Sequence, residues 1–163
     1  MLSRTARKQK KAAVAPKSIQ NRRARYDYAI EDTLEAGIAL VGTEVKSLYH
    51  GKGNLTDAYC RVVNGEMWLL NFDIEPYEKT AHFGHERRRD RKLLMHRKQI
   101  DTWQRKSLEK GFTLIPLAVF FNDKGRVKVQ IALARGKAQY DKRESIAKDD
   151  ARREVDRART GRD

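Results

Sequence analysis

Twenty-two carboxylates, four histidines and one cysteine supply many groups able to move protons or hold a metal, but their spacing assembles no catalytic centre. His82, His85 and Glu86 come nearest to a ligand set, yet two imidazoles three apart with no thiolate beside them are too sparse for zinc. Cys60 stands alone, which removes both an intramolecular disulfide and any CxxC pair. No Ser/His/Asp set or Walker A loop can be built. Glu44 and Lys46 invite an acid–base reading, but a short helix capped by Thr43, with exposed charges, gives the same pattern. The expectation is a protein that is not an enzyme and uses no metal or other cofactor.

The chemistry these residues do support is recognition of a polyanion. Asn21-Arg22-Arg23-Ala24-Arg25-Tyr26 sets guanidinium groups beside an amide and a phenol. Arginine grips phosphate through paired N–H donors, and tyrosine stacks on an exposed base or ribose. A solvated arm leading into a strand would have the same composition, so the hexapeptide alone leaves both readings open. The distribution of charge along the whole chain bears on its class of partner. Residues 1–25 carry nine Lys/Arg and no acid, residues 26–134 have a net charge of only +2, and residues 135–163 add +3 to reach the total of +14. A nearly neutral folded part with a basic arm is built to meet phosphates, because each contact releases condensed counterions. No apolar run approaches the ~20 residues of a membrane span. The start, Met1 to Lys11, lacks the apolar core of a secretory signal, and a cytoplasmic protein is preferred to one with an organelle transit peptide.

The elements that must position these groups follow from periodicity. Residues 1–20 hold little that could pack and are expected to form a disordered basic arm. Tyr28, Ile30 and Leu34 suggest a strand, Glu35-Ala36-Gly37 a turn, and Ile38 to Val41 a second short strand. A helix from Thr43 turns Val45 and Leu48 inward and ends at Gly51 and Gly53. Leu55 to Val63 and Glu66 to Phe72 read as strands joined by Asn64-Gly65, a hairpin signal because both residues tolerate positive φ. A polar basic loop spans Thr80 to Arg91. The spacing then predicts a helix over about Arg97 to Lys110, with Ile100, Trp103 and Leu108 inward and Gly111 as its stop. Strands from Phe112 to Phe121 and from Arg126 to Ala134 close the domain, with Pro116 demanding an edge position or a bulge. A small barrel suits this count, while a sandwich or ferredoxin-like sheet stays open. Beyond Gly136 too few apolar residues remain to bury a core. Ala147, Ala151, Val155 and Ala158 nevertheless make a narrow helical seam, that of a segment that folds on contact.

Three short words, Gly42-Thr43-Glu44-Val45-Lys46-Ser47-Leu48, Gly136-Lys137 and Asp141-Lys142-Arg143, resemble in order and spacing the SmpB family. Members of that family bind transfer-messenger RNA (tmRNA) and help it rescue stalled bacterial ribosomes. The resemblance runs from about Asn21 to Arg159. It implies a mainly β fold, a small oligonucleotide-binding-type β-barrel over residues 21–136 with flanking short helices. A disordered basic C-terminal tail would follow over 137–163, becoming helical on the ribosome. It also implies that Asn21, Arg22, Arg23, Tyr26, Glu35, Leu94, His96 and Lys137 contact RNA. Asp141, Lys142, Arg143, Ala151 and Val155 would serve the tail, which enters the decoding centre and the empty mRNA channel. Elongation factor Tu and alanyl-tRNA synthetase are implied as partners in the same pathway. Tyr49 stands where many relatives have Arg, Ala138 where they have a second Lys, and Thr160-Gly161 near a position some fill with a bulky apolar residue. The rival readings are a ribosomal or assembly protein that binds rRNA, and, further off, a metal-dependent nuclease.

Overall fold

The computed structural model describes residues 15–79, 84–109, 111–137 and 139–161, with side chains for all of these except 139–147 and 160. The described elements are β1 (Ile19–Gln20), α1 (Ala24–Asp27), β2 (Tyr28–Ile38), α2 (Gly42–Tyr49), β3 (Gly53–Asn54), β4 (Tyr59–Val63) and β5 (Glu66–Leu70), followed by β6 (Asp73–Ile74), β7 (Arg91–Leu94), α3 (Arg97–Leu108), β8 (Phe112–Phe121), β9 (Val127–Gly136) and α4 (Gln139–Thr160). Seven strands make one sheet in the order β1-β8-β4-β5-β7-β2-β9, and β8 also pairs with β9, so the ladder returns on itself. β3 and β6 form a separate two-stranded ribbon.

Side-chain alternation decides what fills the middle. Met67, Leu69, Leu93, Val129 and Ile131 point inward from β5, β7 and β9, and Leu48 of α2 with Ile100 and Trp103 of α3 cover the same core. The other faces of β8 and β9 build a second, smaller cluster of Ile115, Leu117, Ala132 and Ala134 under Ala24 of α1. Both faces are thus covered along β8 and the second half of β9, which is why residues 114–121 and 131–134 read as unbroken apolar runs, while residues 127–130 still alternate with one face open. Asn64 and Gly65 take φ of 52° and 75°, the left-handed pair that matches the twist of a two-residue hairpin between β4 and β5. Pro116 lies at a register shift in the β8–β9 ladder, the bulge its missing N–H requires.

Several expectations are corrected. Glu35-Ala36-Gly37 is no turn: β2 runs straight through it, because Glu35, Ala36 and Gly37 pair with Gln130, Val129 and Lys128 of β9. The expected strand from Leu55 begins only at Tyr59, after Leu55 and Ala58 have been buried in a turn. The arm expected to extend to residue 20 ends sooner, since Ile19 and Gln20 pair with Val119 and Ala118. Arg91 opens β7 and is not part of a loop. The last strand extends to Gly136, two residues past Ala134. Tail residues Gln139–Thr160 form a helix here, with no glycine or proline between those ends to break it, and the described side chains from 148 to 159, Ala151 and Val155 among them, are exposed. Ala147 of the expected seam lies outside the described side chains.

Leu108 also departs from expectation. It is 79% exposed, because α3 ends there and only its Ile100–Trp103 face reaches the sheet. Leu108→Lys is expected to change stability by less than about 0.5 kcal/mol. Ile100→Val, at the buried face, is expected to cost about 0.5–1.5 kcal/mol. Urea denaturation of the two variants checks which face is packed, and equal losses would contradict this packing.

Candidate nucleic-acid interface

The surface that brings together Glu35, Leu94 and His96, three of the eight expected RNA contacts, is assembled from β2, β7, the start of α3 and β9. Strand β7 alternates strictly: Arg91 and Leu93 are buried, Lys92 is half-buried and Leu94 is 54% exposed. Gly37 of β2 lies opposite Leu94, and a Cβ there would approach the Leu94 Cβ to 3.2 Å. The missing side chain is what lets Leu94 lie over the strand, a use of glycine that strands reserve for close approach. A groove of about 640 Å³ results, lined by Glu35, Leu94 and His96 together with Lys92, Arg97 and Lys128. His96 caps α3 in an extended conformation while its backbone N–H donates to the Gln99 side chain at 3.2 Å, so its exposed ring is held at the groove rim. Lys92 is tied to Glu66 at 3.1 Å.

The chemistry of this groove is an acceptor inside a cationic frame. Glu35 cannot bind phosphate, but it can accept from the donors of a base or a ribose, while the surrounding Arg and Lys meet the backbone. Leu94 supplies apolar contact. Lys128 and Arg97 were not legible in the sequence, because only the β2–β9 register and the turn into α3 bring them within reach of Glu35.

Behind the groove lies a feature that sequence reasoning placed at the surface. Glu44 is fully buried and not an exposed helix charge. One carboxylate oxygen accepts the Val41 backbone N–H at 3.0 Å and the Arg89 guanidinium at 2.6 Å, and the other accepts from Arg91 Nε. Burial raises the Glu44 pKa, but the Val41 amide and the two guanidinium groups outweigh it and hold the carboxyl below its usual range. Burial depresses the Arg91 guanidinium, and Glu44 opposes that shift. Arg91 is also satisfied by the carbonyls of Phe72 at 2.6 Å and Arg87 at 3.1 Å. Two signals could have revealed the pair. Glu44 stands at the third position of a helix, from which a carboxylate returns to the cap N–H, so Val41 rather than Thr43 caps α2. Arg91 stands two residues before Leu93, on the same inward face.

His85 is likewise structural. Its ring nitrogens meet Thr43 Oγ1 at 3.0 Å and the Ile74 carbonyl at 2.9 Å, which ties the loop to α2. Among the described residues no three His, Cys, Asp or Glu side chains converge, and His82 lies outside them. Cys60 is buried in the core, which pushes its thiol pKa far up.

The remaining expected residues sit elsewhere. The Asn21 amide donates to the Pro116 carbonyl at 2.9 Å and its backbone N–H to Leu117 at 2.8 Å, which locks the bulge of β8. Arg22, Arg23 and Tyr26 are exposed around α1, with Arg23 3.8 Å from Asp27. The Lys137 backbone N–H donates to the Asp27 carbonyl at 3.1 Å, so the tail leaves from this same corner. Glu35 lies seven positions along β2 from Tyr28, about 23 Å at strand rise. The structure therefore divides the expected contacts into a groove at one end of β2 and a basic corner at the other. Asp141, Lys142 and Arg143 belong to the backbone of α4, and their side chains are outside those described.

Fold and groove together define a small, mainly β protein whose surface suits RNA. The chain belongs to the SmpB family, whose description, SmpB protein, matches residues 18–161. It is 59% identical over 138 residues to the SsrA-binding protein of Moorella thermoacetica (strain ATCC 39073 / JCM 9320), covering 85% of this chain and 89% of that relative. It is 53% identical over 152 residues to the SsrA-binding protein of Symbiobacterium thermophilum (strain DSM 24528 / JCM 14929 / IAM 14863 / T), covering 93% and 96%. A chain in the solved structure "tmRNA-SmpB: a journey to the center of the bacterial ribosome" is similar with a TM-score of 0.67 and 47% identity, covering 81% of this chain and 95% of that one.

Proposed function

We propose that this chain is a tmRNA-binding adaptor of trans-translation. It binds the tRNA-like domain of tmRNA, delivers it to stalled ribosomes and senses the empty mRNA channel with its C-terminal tail. The observation that carries the reading is the groove, in which Glu35, an exposed leucine and an imidazole lie beside Arg97, Lys128 and the Glu66-paired Lys92 on a chain of this family. The pairing of β8 with β9 supports reading the sheet as a barrel of the oligonucleotide-binding type, with the groove on its wall. The chain acts by contact and not by catalysis, and the reading puts it in the cytoplasm with the ribosome. Among the described residues no helix is long and apolar enough to cross a membrane. Elongation factor Tu and alanyl-tRNA synthetase enter as proposed pathway partners, since the tmRNA carried must be alanylated and delivered.

The test is to purify the protein with its bound RNA from its own cells and sequence that RNA. Enrichment of tmRNA over its cellular share is expected; rRNA without tmRNA enrichment would favour a ribosomal or assembly protein and overturn the proposal. At residue level, Glu35→Ala is expected to weaken tmRNA binding although it removes a negative charge, because a lost nucleoside acceptor outweighs the relief of repulsion. Gly37→Val is expected to displace Leu94 and weaken binding by about 1 kcal/mol, near fivefold in Kd. Filter binding at fixed salt measures both, and unchanged affinity for the pair would remove the groove from the interface.

A further inference from the structure

The aromatic side chains at the end of α2 serve neither the groove nor, for the most part, the core. His50 and Tyr77 stack with their rings 6° from parallel and centroids 6.4 Å apart. Tyr49 stands edge-on to His50 at 5.8 Å and to Phe121 at 5.7 Å. The Lys46 ammonium lies 5.5 Å from the centroid of Tyr77. Lys46, Tyr49 and His50 are all exposed. Lys17 donates its backbone N–H to the Tyr49 carbonyl at 3.4 Å and lays its side chain over Gly51, where an added Cβ would come within 3.0 Å of it. The chain before it, residues 1–14, carries Arg4, Arg7, Lys8, Lys10 and Lys11 and no acid. The nearby carboxylate of Glu78 is neutralised by Lys52 at 2.9 Å. On the other side, Val45 faces the hollow beside Leu94, so this patch continues the groove surface around α2.

We propose that this patch is a stacking platform for unpaired nucleotides of the bound RNA. One base extends the His50–Tyr77 stack, Tyr49 walls its edge, and flanking phosphates meet Lys46 and Lys17. The proposal rests on reading the chain as an RNA-binding protein. Its chemistry is that of single-strand recognition: every base has a π face, so an aromatic ledge beside cations binds without regard to sequence. A duplex keeps its bases stacked inside and cannot use such a ledge, which makes the platform selective for unpaired RNA. A protein partner would require apolar burial, which a rim this rich in lysine opposes.

Labelled octa-adenylate is the probe, titrated against the full chain by fluorescence anisotropy at two salt concentrations. His50→Ala is expected to weaken binding at least about fivefold, within the range of one base stacked on a side chain. His50→Trp is expected to restore or tighten binding, because it keeps an aromatic ring and offers a larger stacking face. Lys46→Gln is expected to lower the salt slope by about one. An RNA duplex of eight base pairs is expected to bind His50→Ala as it binds the unaltered protein. Octa-adenylate binding unchanged in His50→Ala, or as weak in His50→Trp as in His50→Ala, would overturn the platform. Glu35→Ala separates this from the proposed function: it is expected to lose tmRNA affinity yet keep octa-adenylate affinity. If tmRNA is not captured at all, the adaptor reading fails while the octa-adenylate series still decides the platform.

Discussion

Glu44→Ala is expected to cost about 3–5 kcal/mol of folding stability, the usual penalty for leaving a buried ionic partner uncompensated. The carboxylate sits at zero exposure between Arg91, itself fully buried, and Arg89. Without it, Arg91 keeps its carbonyl acceptors but loses the countercharge, and Val41 loses the acceptor for its N–H. On a chain of this size that loss lowers the melting temperature by roughly 10–20 °C. Replacing both partners, as Glu44→Leu with Arg91→Met, is expected to be much less harmful than the sum of the two single changes, since no unpaired charge is left inside. If the double variant lost as much as both singles together, the pair would not be an interacting unit.

The same group sets the response to acid. Its native pKa lies below the ordinary value of 4.5, so its contribution is fully present above about pH 4.5 and is lost as pH falls through the depressed native value. Glu44→Gln is expected to be destabilised at pH 7 and to show a shallower fall in stability on acidification. Denaturant midpoints measured between pH 7 and pH 3 read this directly. Parallel curves for Glu44→Gln and the unaltered chain would mean that another carboxyl governs acid unfolding.

Loss of ribosome rescue with tmRNA binding retained is the expected result of altering the tail. Strand β9 ends at Gly136, where it pairs with Tyr28, and Lys137 is held to Asp27, so the domain is closed before α4 begins. A chain ending at Lys137 is therefore expected to keep its melting temperature and most of its tmRNA affinity. Replacing Asp141, Lys142 and Arg143 together by alanine is expected to leave tmRNA affinity near normal and to reduce alanine transfer to stalled nascent chains at least tenfold, about 1.4 kcal/mol. Ala151→Pro tests the helix itself. A proline in a helix interior costs about 3 kcal/mol, and α4, whose described side chains are exposed, shows no packing there to offset it. Circular dichroism is expected to lose helical signal without loss of the β domain, and tagging on truncated messages is expected to fall. Normal tagging by Ala151→Pro would show that the tail works without its helix.

These expectations draw on two kinds of information, and the residues show which is which. Local rules made β8, the Asn64-Gly65 hairpin, α3, the bulge at Pro116 and the alternation of Leu93 and Leu94 readable in advance. Each depends on neighbours within a few positions, through pleat, turn sterics or helical repeat. The order of short motifs was likewise enough to indicate the family. Local rules misread Glu35-Ala36-Gly37, because three residues that would make a good turn also make a strand once Gln130, Val129 and Lys128 offer a ladder. They misread Leu108, whose place at the end of a helix takes it past the sheet that buries Ile100 and Trp103. They also placed Glu44 in solvent, because burying a carboxylate is reasonable only if a guanidinium arrives from 47 residues away, as Arg91 does. Composition and periodicity by themselves determined a basic, mainly β chain with a helical seam in its tail. Only the tertiary structure decided that Glu35 and Leu94 share a groove with Lys128, that Asn21 serves the bulge of β8, and that the basic corner lies a strand's length away. Those facts depend on which strands pair and in what register, and register is fixed by long-range pairing and burial that no local window of the chain contains.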